Sequence, residues 1–348
     1  LIGDPKMAGE RTLNDPAVVA AWVERIRDQI APLLDFEGRF AARMVNNLDW
    51  TAGLSAIDLL RGVGKYFRMS TMLAKETVAR RLASDQGISF TEFSYQVLQG
   101  MDFLELYRRY GCTLQTGGND QWGNLLSGVE LIHKAEGRTA HAFTTPLITK
   151  ADGTKFGKTE TGTVWLDPEL TTPYAFYQFW LNQDDRDVPR YLKVFTFRPP
   201  EELAALTVAT REAPQRRAAQ KALAWDVTVL VHGSEAAGQA HDAAAALFGG
   251  ADLRSLSLAT LAAAVAELPR AGVGPAVGDW SVVGALTAAG LEKSRGAARR
   301  TLAAGGVYVN NVKVTDPDAA LTEADFLHGR FALLRRGRKT LGVAELIA

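Results

Sequence analysis

A single cysteine, Cys112, stands among 348 residues, which excludes an internal disulfide and leaves no thiol partner for a structural zinc. The five histidines, His133, His141, His232, His241 and His328, do not cluster with it, so no tightly bound metal is expected. No run approaches the roughly 20 consecutive apolar residues that a membrane helix needs, and the N-terminus carries no basic segment followed by an apolar stretch. A chain without membrane contact, resident in the cytoplasm, is the expectation. Net charge is missing too, because 39 Lys and Arg balance 39 Asp and Glu. A nucleic-acid partner would therefore be held by local basic patches, not by the field of the whole protein.

What is present fits a globular chain of two or three domains, with 47% hydrophobic and 22% charged residues. The opening Leu1-Ile2-Gly3-Asp4-Pro5 reads as a strand leaving a sheet, and a start internal to a longer protein is the expectation. From Leu1 to about Asp167 helical patterns alternate with short strand-like runs, Cys112–Thr116 and Phe143–Thr149. That alternation predicts an α/β fold with a parallel sheet. From Pro168 the strand signals fade, and segments such as Ala218–Trp225 and His241–Phe248 predict a helical domain over 168–269. The Gly- and Pro-rich stretch Arg270–Asp279 reads as a linker. A small domain over 280–348 follows, with helices Val282–Ala289 and Ser294–Ala304 and then a hairpin at Asn310-Asn311.

Four segments carry chemistry. On a helix predicted over Phe90–Tyr110, Tyr95, Gln99 and Asp102 fall at i, i+4 and i+7, which lines up a hydroxyl, an amide and a carboxylate on one stripe. By spacing alone the stripe is as readily the solvated face of an amphipathic helix. The turn Gly117-Gly118-Asn119-Asp120-Gln121-Trp122-Gly123-Asn124 lies between a strand and a helix reaching about Ala135. Its glycines allow a ligand close to the backbone, and Asp120 or Asn119 is the expected helix cap. The loop Thr149–Thr159 gathers Lys150, Lys155 and Lys158 with Gly153 and Gly157, a composition suited to a polyphosphate. It also fits an exposed turn at Asp152-Gly153. It falls one residue short of P-loop spacing, and the strand-like residues after it are not a P-loop helix. In the last domain Lys293, Arg295, Arg299 and Arg300 have no acidic neighbour in sequence up to Lys313, and such a group can track a phosphate backbone.

The segments Ser94–Phe103, Gln115–Asn124 and Lys155-Phe156-Gly157-Lys158-Thr159, joined by Asn46-Asn47-Leu48-Asp49-Trp50, resemble bacterial tyrosyl-tRNA synthetases over essentially the whole chain. The resemblance implies a class I synthetase with a Rossmann-like catalytic domain over 1–167, a helical anticodon-arm domain over 168–269 and a small α+β RNA-binding domain over 280–348. It implies that Tyr95 and Gln99 hold the substrate's ammonium group and Asp102 its phenol hydroxyl, with Asp4 and Gln121 bordering the amino-acid site. Gly118 and Asp120 would meet the ribose of ATP, and Leu147 and Ile148 its adenine. Lys155, Lys158 and Thr159, in the family's form of the Lys-Met-Ser-Lys-Ser signature, would act on the leaving pyrophosphate with Mg2+. The implied partners are L-tyrosine, ATP, tRNA(Tyr) and a second copy of the chain as a homodimer.

Two rivals follow from the same residues. A tryptophanyl enzyme is disfavoured because Asp102 offers an acceptor suited to a phenol. A catalytically silent RNA-binding relative is favoured by one feature only, that the family's His-Ile-Gly-His-type signature would lie upstream of Asp4. On that ground the chain alone is expected neither to activate tyrosine nor to fold its first domain well.

Overall fold

In the computed structural model the described residues are 13–85, 87–154, 156–159, 162–249, 252–266, 268–274, 280–337 and 340–347. The chain forms two compact units, residues 1–149 and 150–348. Among the described residues no helix is long and apolar enough to cross a membrane.

Among the described residues of the first unit the first helix is α1, Pro16–Ile30, capped by Asp15 and started by a proline that already has helical φ. The helix predicted over 90–110 is two helices. Ser89 caps α2, Phe90–Phe93, and the chain bends at Ser94 before α3, Tyr95–Tyr110. Gly111, at φ +66, ends α3 in the left-handed region that glycine adopts without strain. Strand β1, Leu114–Gly118, leads through a 3-10 turn, Asn119–Gln121, into α4, Trp122–Glu136, and then β2, His141–Thr145. The two strands pair in parallel from Leu114↔His141 to Gly118↔Thr145, so the parallel α/β reading holds here.

Helices α3 and α4 approach closely because Gly128 leaves out its side chain opposite Phe103, while Gly100 on α3 leaves room for the ring of Phe67. A Cβ on Gly128 would lie 2.8 Å from Cβ and Cδ1 of Phe103, and one on Gly100 would lie 2.9 Å from Cζ of Phe67. Around that contact Met101, Phe103, Leu104, Leu131 and Ile132 form a core with Trp50 and Val63. An ion pair between Arg81 and Glu92, 2.8 Å apart, is nearly fully buried.

In the second unit a two-stranded ladder, β3 (Lys158–Thr159) with β4 (Gly162–Thr163), precedes five helices. These are α5 (Pro173–Leu181), α6 (Val188–Phe195), α7 (Pro200–Glu212), α8 (Ala218–Gly249) and α9 (Leu258–Val265). Helix α8 is interrupted at Gly233, where φ is +84. The helical reading of this stretch therefore stands. The chain ends in a sheet whose first strand corrects an expectation. Residues Arg270–Val273, predicted as the head of a linker, form β5. The Gly- and Pro-rich remainder of that stretch, 275–279, lies outside the described residues. After α10 (Val282–Ala288) and α11 (Arg295–Ala303) come β6 (Val307–Val309), β7 (Val312–Val314), β8 (Phe331–Arg336) and β9 (Thr340–Leu346). The sheet order is β5-β9-β8-β6-β7. Asn310 and Asn311, at φ +47 and +67, make the tight turn between β6 and β7 that the asparagine pair predicts.

Candidate active site

The stripe on α3 is not simply a solvated face. Tyr95 is buried, and Asp102 is already engaged through both carboxylate oxygens. Asn47 Nδ2 donates to Oδ2 at 3.0 Å and Trp50 Nε1 donates to Oδ1 at 2.9 Å. Burial pushes the Asp102 carboxyl above its ordinary value, against the two donors, which lower it. Each carboxylate oxygen keeps a further lone pair, so the group can still accept a hydrogen bond from a ligand hydroxyl. Asn47 and Trp50 were not predicted as site residues. The run Asn46–Trp50 was legible only as part of a family pattern, because a role that depends on reaching Asp102 has no local signature.

Across from this acceptor, Gln121 joins the set. Its Oε1 accepts from Asn124 Nδ2 at 2.9 Å and lies 3.5 Å from Gln99 Nε2. The structure thus brings together, in the first unit, the stripe on α3 and the turn before α4. The expected capping by Asp120 or Asn119 does not occur. Both sit in the 3-10 turn, and Gln121 occupies the cap position with its side chain turned to Asn124 and Gln99 instead of capping the helix's first N–H groups. The turn leaves little room at Gly118. A Cβ there would lie 2.6 Å from Asp120 Oδ1 and 3.0 Å from Leu147 Cδ2. Asp120 and Leu147 are exposed and Ile148 is half-buried, so a polar and an apolar group flank the same glycine. Asp4 lies outside the described residues.

The lysine loop belongs to the second unit. Gly153 N–H donates to the Lys150 carbonyl at 2.9 Å, and Lys150 N–H donates to the Thr154 carbonyl at 2.9 Å. Asp152 Oδ1 accepts from Thr154 N–H at 2.9 Å and from its hydroxyl at 2.6 Å, and these bonds hold the Asp152 carboxyl below its ordinary value. An Asx-type turn therefore shapes the start of the loop. Lys155 lies outside the described residues, while Lys158 and Thr159 are placed on β3.

Between them Phe156 turns its ring into the helical segment. Its centroid is 4.8 Å from that of Tyr191, 5.4 Å from those of Trp180 and Phe195, and 5.7 Å from that of Phe179. Each such pair is worth about 0.5–1.5 kcal/mol beyond area burial. Burial also pushes the Tyr191 hydroxyl up to about 12, so it stays protonated and the box is uncharged.

In the last domain Ser294 caps α11, and Lys293, Arg295, Arg299 and Arg300 are all exposed. Their freedom from acid in sequence is only partial in space. Arg299 pairs with Asp318 at 3.8 Å, and Arg336 lies 3.4 Å from Glu292. Arg335 stacks its guanidinium 4.1 Å from the centroid of Tyr308, adding a planar, cationic surface to the same sheet.

Comparison with known proteins agrees along the length of the chain. A family model described as tRNA synthetases class I (W and Y) matches residues 1–249, and one described as the tyrosine–tRNA ligase SYY-like C-terminal domain matches residues 261–343. The tyrosine–tRNA ligase of Streptomyces avermitilis is 63% identical over 347 residues, covering 99% of this chain and 82% of that protein. The one from Kineococcus radiotolerans is 58% identical over 341 residues, covering 98% and 80%. Among solved structures, a C-terminally truncated mitochondrial tyrosyl-tRNA synthetase of Coccidioides posadasii matches with a TM-score of 0.58 at 32% identity, covering 69% of this chain and 70% of that one.

Proposed function

Because this chain belongs to the class I tRNA synthetases of the tryptophan and tyrosine type and functions as a tyrosine–tRNA ligase, we propose that Asp102, held by Asn47 and Trp50, is the group that reads the tyrosine hydroxyl. The observation that carries this assignment is the pair of N–H donors on a half-buried carboxylate. They keep it oriented as an acceptor, and a substrate lacking the hydroxyl leaves a desolvated acceptor short of a partner. Tyr95 and Gln99 hold the ammonium group, with Asp4 and Gln121 at the border of the amino-acid pocket.

ATP enters as its magnesium complex, the metal being part of the substrate, and no resident metal is needed. Gly118 and Asp120 meet the ribose, and the exposed Leu147 with Ile148 meets the adenine. The tyrosine carboxylate oxygen attacks the α-phosphorus and the bond to pyrophosphate breaks, while Lys155, Lys158 and Thr159 offset charge growing on the leaving group. A hydroxyl of the terminal ribose of tRNA(Tyr) then displaces AMP from the tyrosyl carbonyl. Lys293, Arg295, Arg299 and Arg300 contact the tRNA backbone, a role supported by their shared exposure. Functionally the chain divides into catalytic (1–167), anticodon-arm (168–269) and RNA-binding parts, the last taking in β5 from Arg270.

A homodimer in the cytoplasm completes the reading. Ile57 and Leu60, one turn apart, are 61% and 59% exposed, an apolar pair that fits burial against a second copy. The decisive experiment is tyrosine binding by Asp102→Ala. Loss of binding with retained fold supports the assignment, and undiminished affinity overturns it.

A further inference from the structure

Phe156 stands two residues before Lys158 and is the one aromatic residue of the loop Thr149–Thr159. Its ring is surrounded from several directions. The planes of Phe179 and Tyr191 each meet it at 60°, that of Trp180 at 44°, and that of Phe195 is stacked at 26°. Trp180 and Tyr191 are 5% and 0% exposed, so the receiving wall is interior and cannot follow the loop if the loop moves. Directly after the ring, Gly157 at φ +80 reverses the chain, which only glycine does without strain. The next two residues enter the antiparallel ladder with β4, and Val164 N–H donates to the Gly157 carbonyl at 3.2 Å. The backbone of Lys158 is therefore held on one side by a ladder and on the other by one aromatic side chain inserted into α5 and α6.

We propose that Phe156 is a positioning residue for tyrosine activation, its ring seated among Phe179, Trp180, Tyr191 and Phe195 so that the backbone at Lys158 is fixed as pyrophosphate leaves. The inference rests on the reading of Lys158 as a pyrophosphate ligand. Phe156 acts only through that lysine. A lysine set slightly wrong fails where charge develops in the transition state, while the tyrosine readers on α3 and before α4 are untouched. The cost therefore falls on kcat and not on tyrosine affinity.

The test compares Phe156→Ala, Phe156→Met, Phe195→Ala and Lys158→Ala in the enzyme expressed at its native length, by pyrophosphate exchange and by equilibrium dialysis with tyrosine. Phe156→Ala is expected to lower kcat for adenylate formation by about 10- to 100-fold with tyrosine Kd unchanged. Phe156→Met, which keeps a long apolar side chain in the seat, recovers most of that loss. Phe195→Ala, which alters only the seat, reproduces part of it. An active Phe156→Ala beside an inactive Lys158→Ala overturns the positioning role and leaves the loop reading standing. A parallel fall in tyrosine affinity, or no recovery in Phe156→Met, also overturns it. An active Lys158→Ala overturns the loop reading itself, and this inference with it.

Discussion

The indole N–H of Trp50 donates to Asp102 Oδ1 at 2.9 Å, across 52 residues of sequence. Asp102 is raised by burial and lowered by this bond and by that from Asn47. Tyrosine binding that needs the ionised carboxylate is therefore lost as pH falls through its raised value. Trp50→Phe removes a lowering influence, so the acid limb of tyrosine binding should move to higher pH. Affinity at neutral pH should also fall by about 10-fold, or about 1.4 kcal/mol. Titration of tyrosine binding by fluorescence across pH checks both, and an acid limb shifted downward contradicts the assignment.

Gln121 offers one carbonyl oxygen to two amides, from Asn124 at 2.9 Å and Gln99 at 3.5 Å. Asn124→Ala should release it to rotate and weaken tyrosine binding several-fold, by about 1 kcal/mol, with little effect on thermal stability. Isothermal titration beside a melting curve separates the two effects.

The Arg81–Glu92 pair is a stability prediction with no catalytic part. Glu92 is 4% exposed and Arg81 3%, and Arg81 Nε also donates to the Gly87 carbonyl at 3.0 Å. Glu92→Ala leaves a guanidinium buried without its carboxylate and should cost about 3–5 kcal/mol in urea unfolding. Replacing both residues by apolar ones of similar volume should cost much less.

Asn310 combines a positive φ with two side-chain bonds, accepting from Leu333 N–H at 2.9 Å and donating to the Asp325 carbonyl at 2.6 Å. Asn310→Ala should destabilise the last domain by about 1–3 kcal/mol. Limited proteolysis of that domain reads the loss without reference to activity.

For tRNA, Arg300→Ala should weaken binding to cognate and unrelated RNA alike and reduce the slope of log K against log salt by about 1. Arg299, partly occupied by Asp318 at 3.8 Å, should give a smaller change. Filter binding at several salt concentrations ranks the two.

Local signals were the ones that could be read in the sequence. The i, i+4, i+7 spacing of Tyr95, Gln99 and Asp102 follows from helix geometry alone, and Asn310-Asn311 predicts its turn because asparagine tolerates positive φ. The parallel strands were legible as short strand-like runs on either side of a helix, Cys112–Thr116 and Phe143–Thr149, although β1 begins two residues later, at Leu114, and β2 two residues earlier, at His141. What escaped depends on partners distant in sequence. Arg270–Val273 lies within a Gly- and Pro-rich stretch and becomes a strand only because β9 offers a parallel edge from Val343 to Leu346. The bend at Ser94 interrupts a continuous helical pattern. Asn47 and Trp50 acquire meaning only through Asp102. The aromatic seat of Phe156 is dispersed over two helices, so nothing in the loop itself marks its one aromatic residue as anchored.

The close contact of α3 with α4 bears on how such a site changes over evolution. Tyr95, Gln99 and Asp102 ride on the helix of Gly100 and Phe103, and Gln121 immediately precedes the helix of Gly128. The gap between the two sets of readers is thus gauged by a hydrogen atom at position 128, where a methyl group would meet Phe103 at 2.8 Å. A lineage could shift this pocket toward a different side chain without exchanging a single reader. One substitution at Gly128 would respace the helices, because a methyl group there meets Phe103 at 2.8 Å.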